Sequence, residues 1–524
     1  MEEIAAANLP GGLVDRSRFW LSPGAIPVRV HHVVKAESAA REQKPLQAIF
    51  QKGQRVEVEI VDAGESEKCF GRIADGVAVF VRGHVAVGDR VIAEIYKIKK
   101  AYLEAKLVSV LTPSPDRTRP TCSHFGVCGG CKWQHVRYEE QLRIKRKQVS
   151  DVLEHIGGFT SPDVQPVLPS GRQFGYRNKV DFSFSDKRFL LEEENGLSPE
   201  ELEKPVDFAL GFHAPLRYAK AIDIDYCYLG SPAMNRVLEV VRSFCMRRSL
   251  AVYSTKTHQG YLRNLVVREG EETGEVMVNL VTSWHDASTM EALGVELARA
   301  LGPSLVSFVN NVTERKNLVA LGDREHLILG RSVIRDRIGD NRFEIAANSF
   351  FQTNTSQAGI LYDVVVRLAD PAPEHFLLDL YCGTGSIALH VAGRCRRVLG
   401  IELNEVSIRN AVENASLNGA ENCEFQTMDL KDLGKVVVSE GRTEFPDVVI
   451  ADPPRAGMHP KTVKALLQIA PQRIVYVSCK PSSLARDAAV LCKDGAYRLG
   501  TVQPVDMFPH TNHVEAAAVL TRRD

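Results

Sequence analysis

The stretch Phe376-Leu377-Leu378-Asp379-Leu380-Tyr381-Cys382-Gly383-Thr384-Gly385-Ser386 decides how this chain is read. An apolar run of strand length is followed by a glycine-containing turn and then by a helical pattern that starts near Ser386. Gly383 and Gly385 allow dihedrals and a close backbone approach that other residues resist. Further on, Arg397-Val398-Leu399-Gly400-Ile401-Glu402, Asp447-Val448-Val449-Ile450-Ala451-Asp452 and Arg473-Ile474-Val475-Tyr476-Val477-Ser478 repeat the apolar pattern, with helical segments between them. Apolar strands alternating with helices predict a parallel, doubly wound α/β sheet over residues 346–524. Ligands of such sheets bind beyond the carboxyl ends of the strands, so the strand ends are where chemistry is sought.

Each of those ends carries a polar group. Glu402 closes the second strand, where a carboxylate can accept both ribose hydroxyls of a nucleoside. The turn departs from G-x-G-x-x-G because Ile387 and Ala388 stand where a third glycine is expected. That shifts the reading from NAD toward S-adenosylmethionine, a sulfonium nucleoside with no pyrophosphate to cradle; a plain turn with a surface glutamate is the alternative. Asp429 follows the strand-like Cys423-Glu424-Phe425-Gln426 and could bond an adenine amino group or simply cap a helix. Asp452-Pro453-Pro454-Arg455 directly follows a buried strand, and its prolines stiffen the loop so that the carboxylate is pre-aimed at a planar nitrogen. Cys479 ends the strand Val475–Ser478, on the ligand edge. Cys382 lies inside the tight turn and should pack, as should Cys69, Cys245, Cys395, Cys423 and Cys492 as core or surface thiols.

Working toward the N-terminus, Cys122-x5-Cys128-Gly129-Gly130-Cys131 is tightly grouped, with Cys227 far downstream. Three clustered thiols plus a remote one suit a four-thiolate iron–sulfur site. The x5 and x2 spacings lack the paired knuckles of a zinc ribbon, although Cys-x2-Cys alone would suit zinc, and structural thiols remain the plain alternative, most of all for Cys227. The segment 137–156 reads as an amphipathic helix with Arg143, Lys145, Arg146 and Lys147 among its apolar positions. Residues 46–112 alternate with period two in short runs punctuated by glycines, which predicts a small β-barrel. Residues 113–345 read as a central α+β region, and 1–45 as a poorly ordered extension.

Composition limits the rest. The chain has 524 residues, 44% of them hydrophobic and 25% charged, with Lys+Arg and Asp+Glu both at 65. A zero net charge removes any whole-protein attraction to nucleic acid, so RNA contact must be local. Residues 51–150 hold 18 Lys/Arg against 12 Asp/Glu, and Lys97, Lys99, Lys100 and Lys106 cluster at the end of the barrel. No run of about 18 apolar residues is present to span a membrane, the N-terminus lacks a secretory pattern, and eleven cysteines are too sparse for a disulfide scaffold. A cytoplasmic protein, probed in a reducing compartment, is expected.

Taken in order, Cys122–Cys131 with Trp133-Gln134-His135, Asn348-Ser349-Phe350-Phe351-Gln352-Thr353-Asn354, Asp379–Gly385, Asp452–Gly457, Tyr476-Val477-Ser478-Cys479 and His510-Thr511-Asn512-His513-Val514-Glu515 resemble the RNA uracil-C5 methyltransferase family. The resemblance spans about residues 50–520 and is strongest to the enzymes acting on 23S ribosomal RNA. It implies a TRAM-type barrel, a [4Fe-4S] cluster on Cys122, Cys128, Cys131 and Cys227, and a Rossmann-like S-adenosylmethionine-dependent domain. It also implies that Gln352, Tyr381, Ser386, Glu402, Asp429 and Asp452 line the cofactor and target-base pocket, with Cys479 as nucleophile and Glu515 as base. RNA is the implied partner, ribosomal before the tRNA T-loop, and the protein is expected to be a monomer. Lys480 stands where the family often has Asn, and no role is carried to it.

The residue chemistry agrees independently. C5 of uracil is a poor nucleophile until a thiolate adds to C6; the C5 proton must then be removed by a base before the thiolate leaves. The base must be unstacked to be reached, and Phe350 or Phe351 could stack on it or fill its place, unless they serve the core. Two other readings stand beside this one: an RNA-binding iron–sulfur module without catalysis, which intact Cys479, Glu515 and Glu402 oppose, and methylation of an exocyclic amine, which would need no thiol.

Overall fold

The computed structural model describes residues 45–64, 68–215, 217–316, 320, 322–434 and 444–523. The expected disordered extension therefore lies almost wholly outside the described residues. Near the N-terminus, β1 (Arg55–Ala63), β2 (Lys68–Arg72), β3 (Ala78–Arg82), β4 (Arg90–Ile98) and β5 (Tyr102–Thr112) close into a barrel in the order β1-β2-β3-β5-β4. The period-two pattern does this: Val58, Ile60, Val79, Val81, Val91, Ala93, Ile95, Leu103 and Ala105 all point inward and are buried. The barrel core does not end at its own strands. Trp133, Val136 and Ile144 join the same apolar cluster, which fixes the barrel to the cysteine segment and to the helix Tyr138–His155.

The central region is built on β6 (Lys179–Ser185), β7 (Ala209–Ala214), β8 (Arg217–Asp223), β9 (Leu262–Glu269), β10 (Val276–Thr282), β11 (Leu305–Val312) and β12 (Arg324–Gly330), in the order β12-β11-β10-β9-β6-β7-β8. The helices Pro232–Arg247 and Ala287–Leu301 pack on it through Val237, Leu238, Val241, Leu293 and Leu297. A hairpin of β13 (Val333–Ile338) and β14 (Asn341–Ala346) leads into the helix Thr355–Ala369.

The last sheet holds β15 (Phe376–Leu380), β16 (Arg397–Glu402), β17 (Cys423–Thr427), β18 (Val448–Ala451), β19 (Arg473–Ser478), β20 (Tyr497–Val505) and β21 (Glu515–Arg522), ordered β17-β16-β15-β18-β19-β21-β20. Its apolar residues divide by parity. Leu377, Val398, Ile450, Val475 and Val477 join the core on one face, while Leu378, Leu380, Leu399, Val449, Ile474 and Tyr476 join the core on the other. Such two-sided burial explains why these strands read as continuous apolar runs. Each fully buried Val, Leu or Ile contributes about 1.5–3 kcal/mol. One expectation is corrected: the sheet is mixed, not parallel. β21 runs antiparallel to both β19 and β20. A strand's sequence encodes burial but not direction, and here β21 returns from β20 by a connection short enough to force antiparallel pairing.

Candidate active site

The carboxyl ends of β15, β16, β18 and β19 open into one cleft of about 920 Å³. All eight residues expected there line it: Gln352, Tyr381, Ser386, Glu402, Asp429, Asp452, Cys479 and Glu515. The turn after β15 shapes its floor. Gly385 sits at φ +81°, where a Cβ would come within 2.9 Å of the Phe425 ring. Ser386 opens the next helix and lies beside the buried Tyr362.

Glu402 uses Oε1 to accept from the backbone N–H groups of Leu403 (2.8 Å) and Asn404 (2.9 Å). Among the described residues its second oxygen has no hydrogen-bond partner, and the adjacent Leu403 side chain is 63% exposed at the cleft. Asp429 caps the short turn Leu430–Asp432 by accepting from Lys431 N at 3.0 Å, so its capping role is realised while it also lines the cleft. Below the floor lies Asp379, 1% exposed. Its Oδ2 accepts from Ala388 N at 3.1 Å, and its Oδ1 has no hydrogen-bond partner among the described residues. Burial, with Asp452 next, pushes Asp379 up to about 8.

Register brings the expected nucleophile and the expected base together. β19 and β21 pair Ser478 with Ala516, and one step further along that antiparallel register sets Cys479 across from Glu515. Glu515 is buried. Burial, with Asp452 next, pushes its carboxyl up to about 8 against the pull of Arg455. Burial pushes Asp452 itself up to about 6. The Cys479 thiol is pushed up to about 11 by burial and then by Glu515 and Asp452, again opposed by Arg455. The resting cleft is thus an acid-rich pocket whose thiol and carboxyl favour their neutral forms.

Several lining residues escaped the sequence reading. Arg177 lies over Phe508 at 5.9 Å, and its Nε is buried without a hydrogen-bond partner among the described residues. Phe508 and His513 come from the loop before β21 and line the cleft; burial pushes His513 down to about 4, so its ring is neutral. A basic residue in a strand-like run and an aromatic in a loop carry no local signal of this role. Of the paired phenylalanines, Phe350 is 66% exposed at the cleft, whereas Phe351 is buried against Phe343.

The four cysteines converge as well. Cys122, Cys128, Cys131 and Cys227 line one cavity of about 270 Å³. Burial pushes Cys128 up to about 11 and Cys131 up to about 12, and Gly130 N donates to Cys128 Sγ at 3.4 Å. Asn235 holds the loop of the remote cysteine, accepting from Cys227 N at 2.7 Å. Among the described residues, no group of three or more His, Cys, Asp or Glu is gathered tightly enough to hold a single metal ion. Arg177 and Thr353 line both this cavity and the catalytic cleft. Among the described residues no helix is long and apolar enough to cross a membrane.

Residues 305–523 match the tRNA (uracil-5-)-methyltransferase family, and residues 50–108 match the TRAM domain. An uncharacterized RNA methyltransferase of Chlorobaculum tepidum is 49% identical over 91% of this chain and 98% of its own length. One of Porphyromonas gingivalis is 41% identical over 89% and 99%. The crystal structure of Pyrococcus abyssi tRNA (uracil-54, C5)-methyltransferase with S-adenosyl-L-homocysteine is 31% identical, with a TM-score of 0.67, covering 88% of this chain and 100% of that one. With these matches over nearly its whole length and the acid-rich, thiol-bearing cleft at its strand ends, the chain belongs to the S-adenosylmethionine-dependent RNA (uracil-5-)-methyltransferase family.

Proposed function

We propose that the protein methylates C5 of a uridine in RNA through a covalent Cys479–C6 adduct. The observation that carries this is the meeting of Cys479 and Glu515 across the β19–β21 register at the edge of the cleft. Cys479, having given its thiol proton to water, forms the Sγ–C6 bond as a thiolate, and the electron pair of the C5–C6 double bond moves toward O4. Glu515 later takes the C5 proton, and the C6–S bond breaks to restore the ring and free the thiolate. Asp452, stiffened by Pro453 and Pro454, and Gln352 face the base. Arg177 offers a buried donor for the oxygen on which charge develops. Phe350 is the exposed aromatic against which an unstacked base can pack.

S-adenosylmethionine fits the remaining half of the cleft. Glu402 has an oxygen to spare for ribose hydroxyls, Tyr381, Ser386 and Leu403 wall the space, and Asp429 stands at its far end. The buried carboxyls of Asp379 and Glu515 and the half-buried Asp452 suit a cationic ligand. When bound, the cofactor supplies an electrophilic methyl group to C5.

We assign the four thiols, which line one cavity, to a [4Fe-4S] cluster on the resemblance and on the Cys-x5-Cys-x2-Cys spacing, which lacks the paired knuckles of a zinc ribbon. Iron with broad visible absorption in anaerobically purified protein is expected; stoichiometric zinc without iron would reject the assignment. In this division of labour the barrel, 46–112, grips RNA, residues 113–345 carry the cysteine site, and 346–524 perform the transfer.

Ribosomal RNA is the proposed substrate, on the resemblance of the barrel and cysteine loop. A tRNA substrate is the second reading, because the Pyrococcus abyssi neighbour is by name a tRNA uracil-54 enzyme. Mass mapping of 5-methyluridine in total RNA from a deletion strain, complemented with wild type or Cys479→Ala, tests both. Loss from ribosomal RNA restored only by wild type is expected. Loss from tRNA alone sinks the ribosomal assignment, and no loss of 5-methyluridine sinks the function.

A further inference from the structure

The loop that delivers Glu515 into the cleft is nine residues long, from Asp506 to Val514, between β20 and β21. Its inner side, Phe508 and His513, lines the cleft. Its outer side is held by the segment that carries the cysteines. Lys132 N and Trp133 N, the two amides after Cys131, both donate to His510 O, at 2.8 and 3.0 Å. Gln141 Oε1 accepts from His510 N at 2.9 Å. Gln141 Nε2 stands 3.2 Å from His510 Nδ1, and also 3.0 Å from Trp133 O and 2.8 Å from Val136 O.

Gln141 is 0% exposed. It therefore ties the turn that follows the cysteine cluster to the loop that precedes the base, with one buried amide serving both. The neighbouring grips act on the same loop. Lys145 Nζ and Tyr138 OH donate to the two oxygens of Asp506, at 2.6 and 2.8 Å, and Tyr176 OH donates to Pro509 O at 3.2 Å. His510 itself adopts φ +65°, a left-handed conformation that a non-glycine residue keeps only when its surroundings over-determine it. Phe174 stacks on its ring at 4.4 Å.

We infer that Gln141 is a positioning residue for the base: by clamping His510 to the Cys131–Trp133 turn, it makes the placement of Glu515 depend on the integrity of the cysteine loop. The inference rests on the reading of Glu515 as the base. Its consequence is selective. Loosening the clamp should disturb proton removal more than cofactor binding, because Glu402, Asp429 and Ser386 hang from other strands and helices. Displacements of about 1 Å at a reacting group can slow a step on the order of 100-fold.

The test uses the full-length protein, total RNA from a deletion strain and a tritium-labelled methyl donor. Gln141→Leu keeps the side-chain bulk but leaves His510 N–H without its acceptor. His510→Gly keeps the left-handed turn and the two bonds from Lys132 and Trp133 while losing the ring contacts. Both variants should bind S-adenosylhomocysteine within about twofold of wild type, turn over 10- to 100-fold more slowly, and accumulate methylated RNA in a denaturation-resistant complex. Cysteine-to-alanine changes at Cys131 should give the same accumulation. Slower turnover with no accumulated adduct in the two clamp variants, or parallel loss of melting temperature, cofactor binding and activity, overturns the inference. Glu515→Gln is the discriminating control: if it traps adduct and Gln141→Leu does not, the clamp alone is wrong; if neither traps adduct, the base assignment itself fails.

Discussion

Glutamine at position 515 separates the steps of the proposed reaction. It is isosteric with a neutral carboxylic acid, and burial together with Asp452 pushes Glu515 up to about 8. Near pH 7 the resting enzyme therefore already carries the uncharged form, and Glu515→Gln should fold. What it loses is a proton acceptor. A positioned general base contributes typically 10²- to 10⁴-fold, or roughly 3–5 kcal/mol at 1.36 kcal/mol per decade. Addition of Cys479 to C6 and methylation of C5 do not draw on that carboxylate, so the loss falls on elimination. Slowed by that factor, elimination becomes rate-limiting and RNA accumulates as a methylated, Cys479-linked species. A denaturing gel with labelled methyl donor and labelled RNA should show a shifted band carrying both labels, approaching one per enzyme. Cys479→Ala should show none and wild type only a trace. The folding control has a definite sign. The unfolded chain loses this proton near 4.5 and the folded one near 8. Stability given by the neutral carboxyl is then full below about pH 4.5 and is lost as the pH rises toward 8. Glu515→Gln cannot ionise, so it should gain on wild type across that window by up to about 1.4 kcal/mol per pH unit. A well-folded Glu515→Gln protein that turns over within a few-fold of wild type and traps no adduct would remove Glu515 from the mechanism.

Turnover of wild type should rise with pH and level off above about 8, as Glu515 ionises; the residual rate of Glu515→Gln should lack that limb, and a shared profile would assign it to another group. The Cys479 thiol is held up to about 11 by burial, Glu515 and Asp452, so iodoacetamide should alkylate it slowly at pH 8 and faster in Asp452→Asn, read by mass spectrometry of its peptide. An unchanged rate would remove the charge argument. In the barrel, Lys106 pairs with Glu94 at 3.0 Å, which leaves Lys97, Lys99 and Lys100 as the stronger RNA candidates. Replacing these three with alanine should flatten the salt dependence of RNA affinity by roughly two units of slope; an unaltered slope would give the barrel another partner.

The strands were legible because burial imposes a pattern on them. β15, β16 and β19 stand at the residues their apolar runs indicate, and the division of each strand between two cores follows from period-two alternation. Site residues at strand ends were legible for the same reason: once the strands are placed, Glu402, Asp452 and Cys479 can only face the ligand edge. The pairing of Cys479 with Glu515 was not, since it depends on the register and direction of β21. Neither was Lys145. Within Arg143-Ile144-Lys145-Arg146-Lys147 it looks like one more solvated charge, yet it is 0% exposed and bonded to Asp506, 361 positions away. A local pattern reports which side chains are charged; only the fold decides which of four neighbouring cations turns inward to meet a buried acid.

Backbone strain shows the same limit from another side. Glycine announces left-handed geometry in a sequence, as Gly383 and Gly385 do at the turn after β15. Two residues flanking the catalytic cleft adopt it without that signal: Tyr381 at φ +63° and His510 at φ +65°. Such positions cost on the order of 1–3 kcal/mol each, and a chain keeps them only where neighbouring contacts exceed the cost. At His510 those contacts include two backbone hydrogen bonds, two bonds to the Gln141 side chain and a stacked ring. At Tyr381 they come from the tight turn it opens and from Thr462 and His459 beneath it. Both residues stand at junctions where one element hands the chain to the cleft: β15 to the cofactor turn in the first case, the cysteine loop to the base in the second. Their geometry is set by partners tens to hundreds of residues away. For that reason the lining of the cleft could be named from residue types at strand ends, while the parts that hold it in place became visible only with the fold.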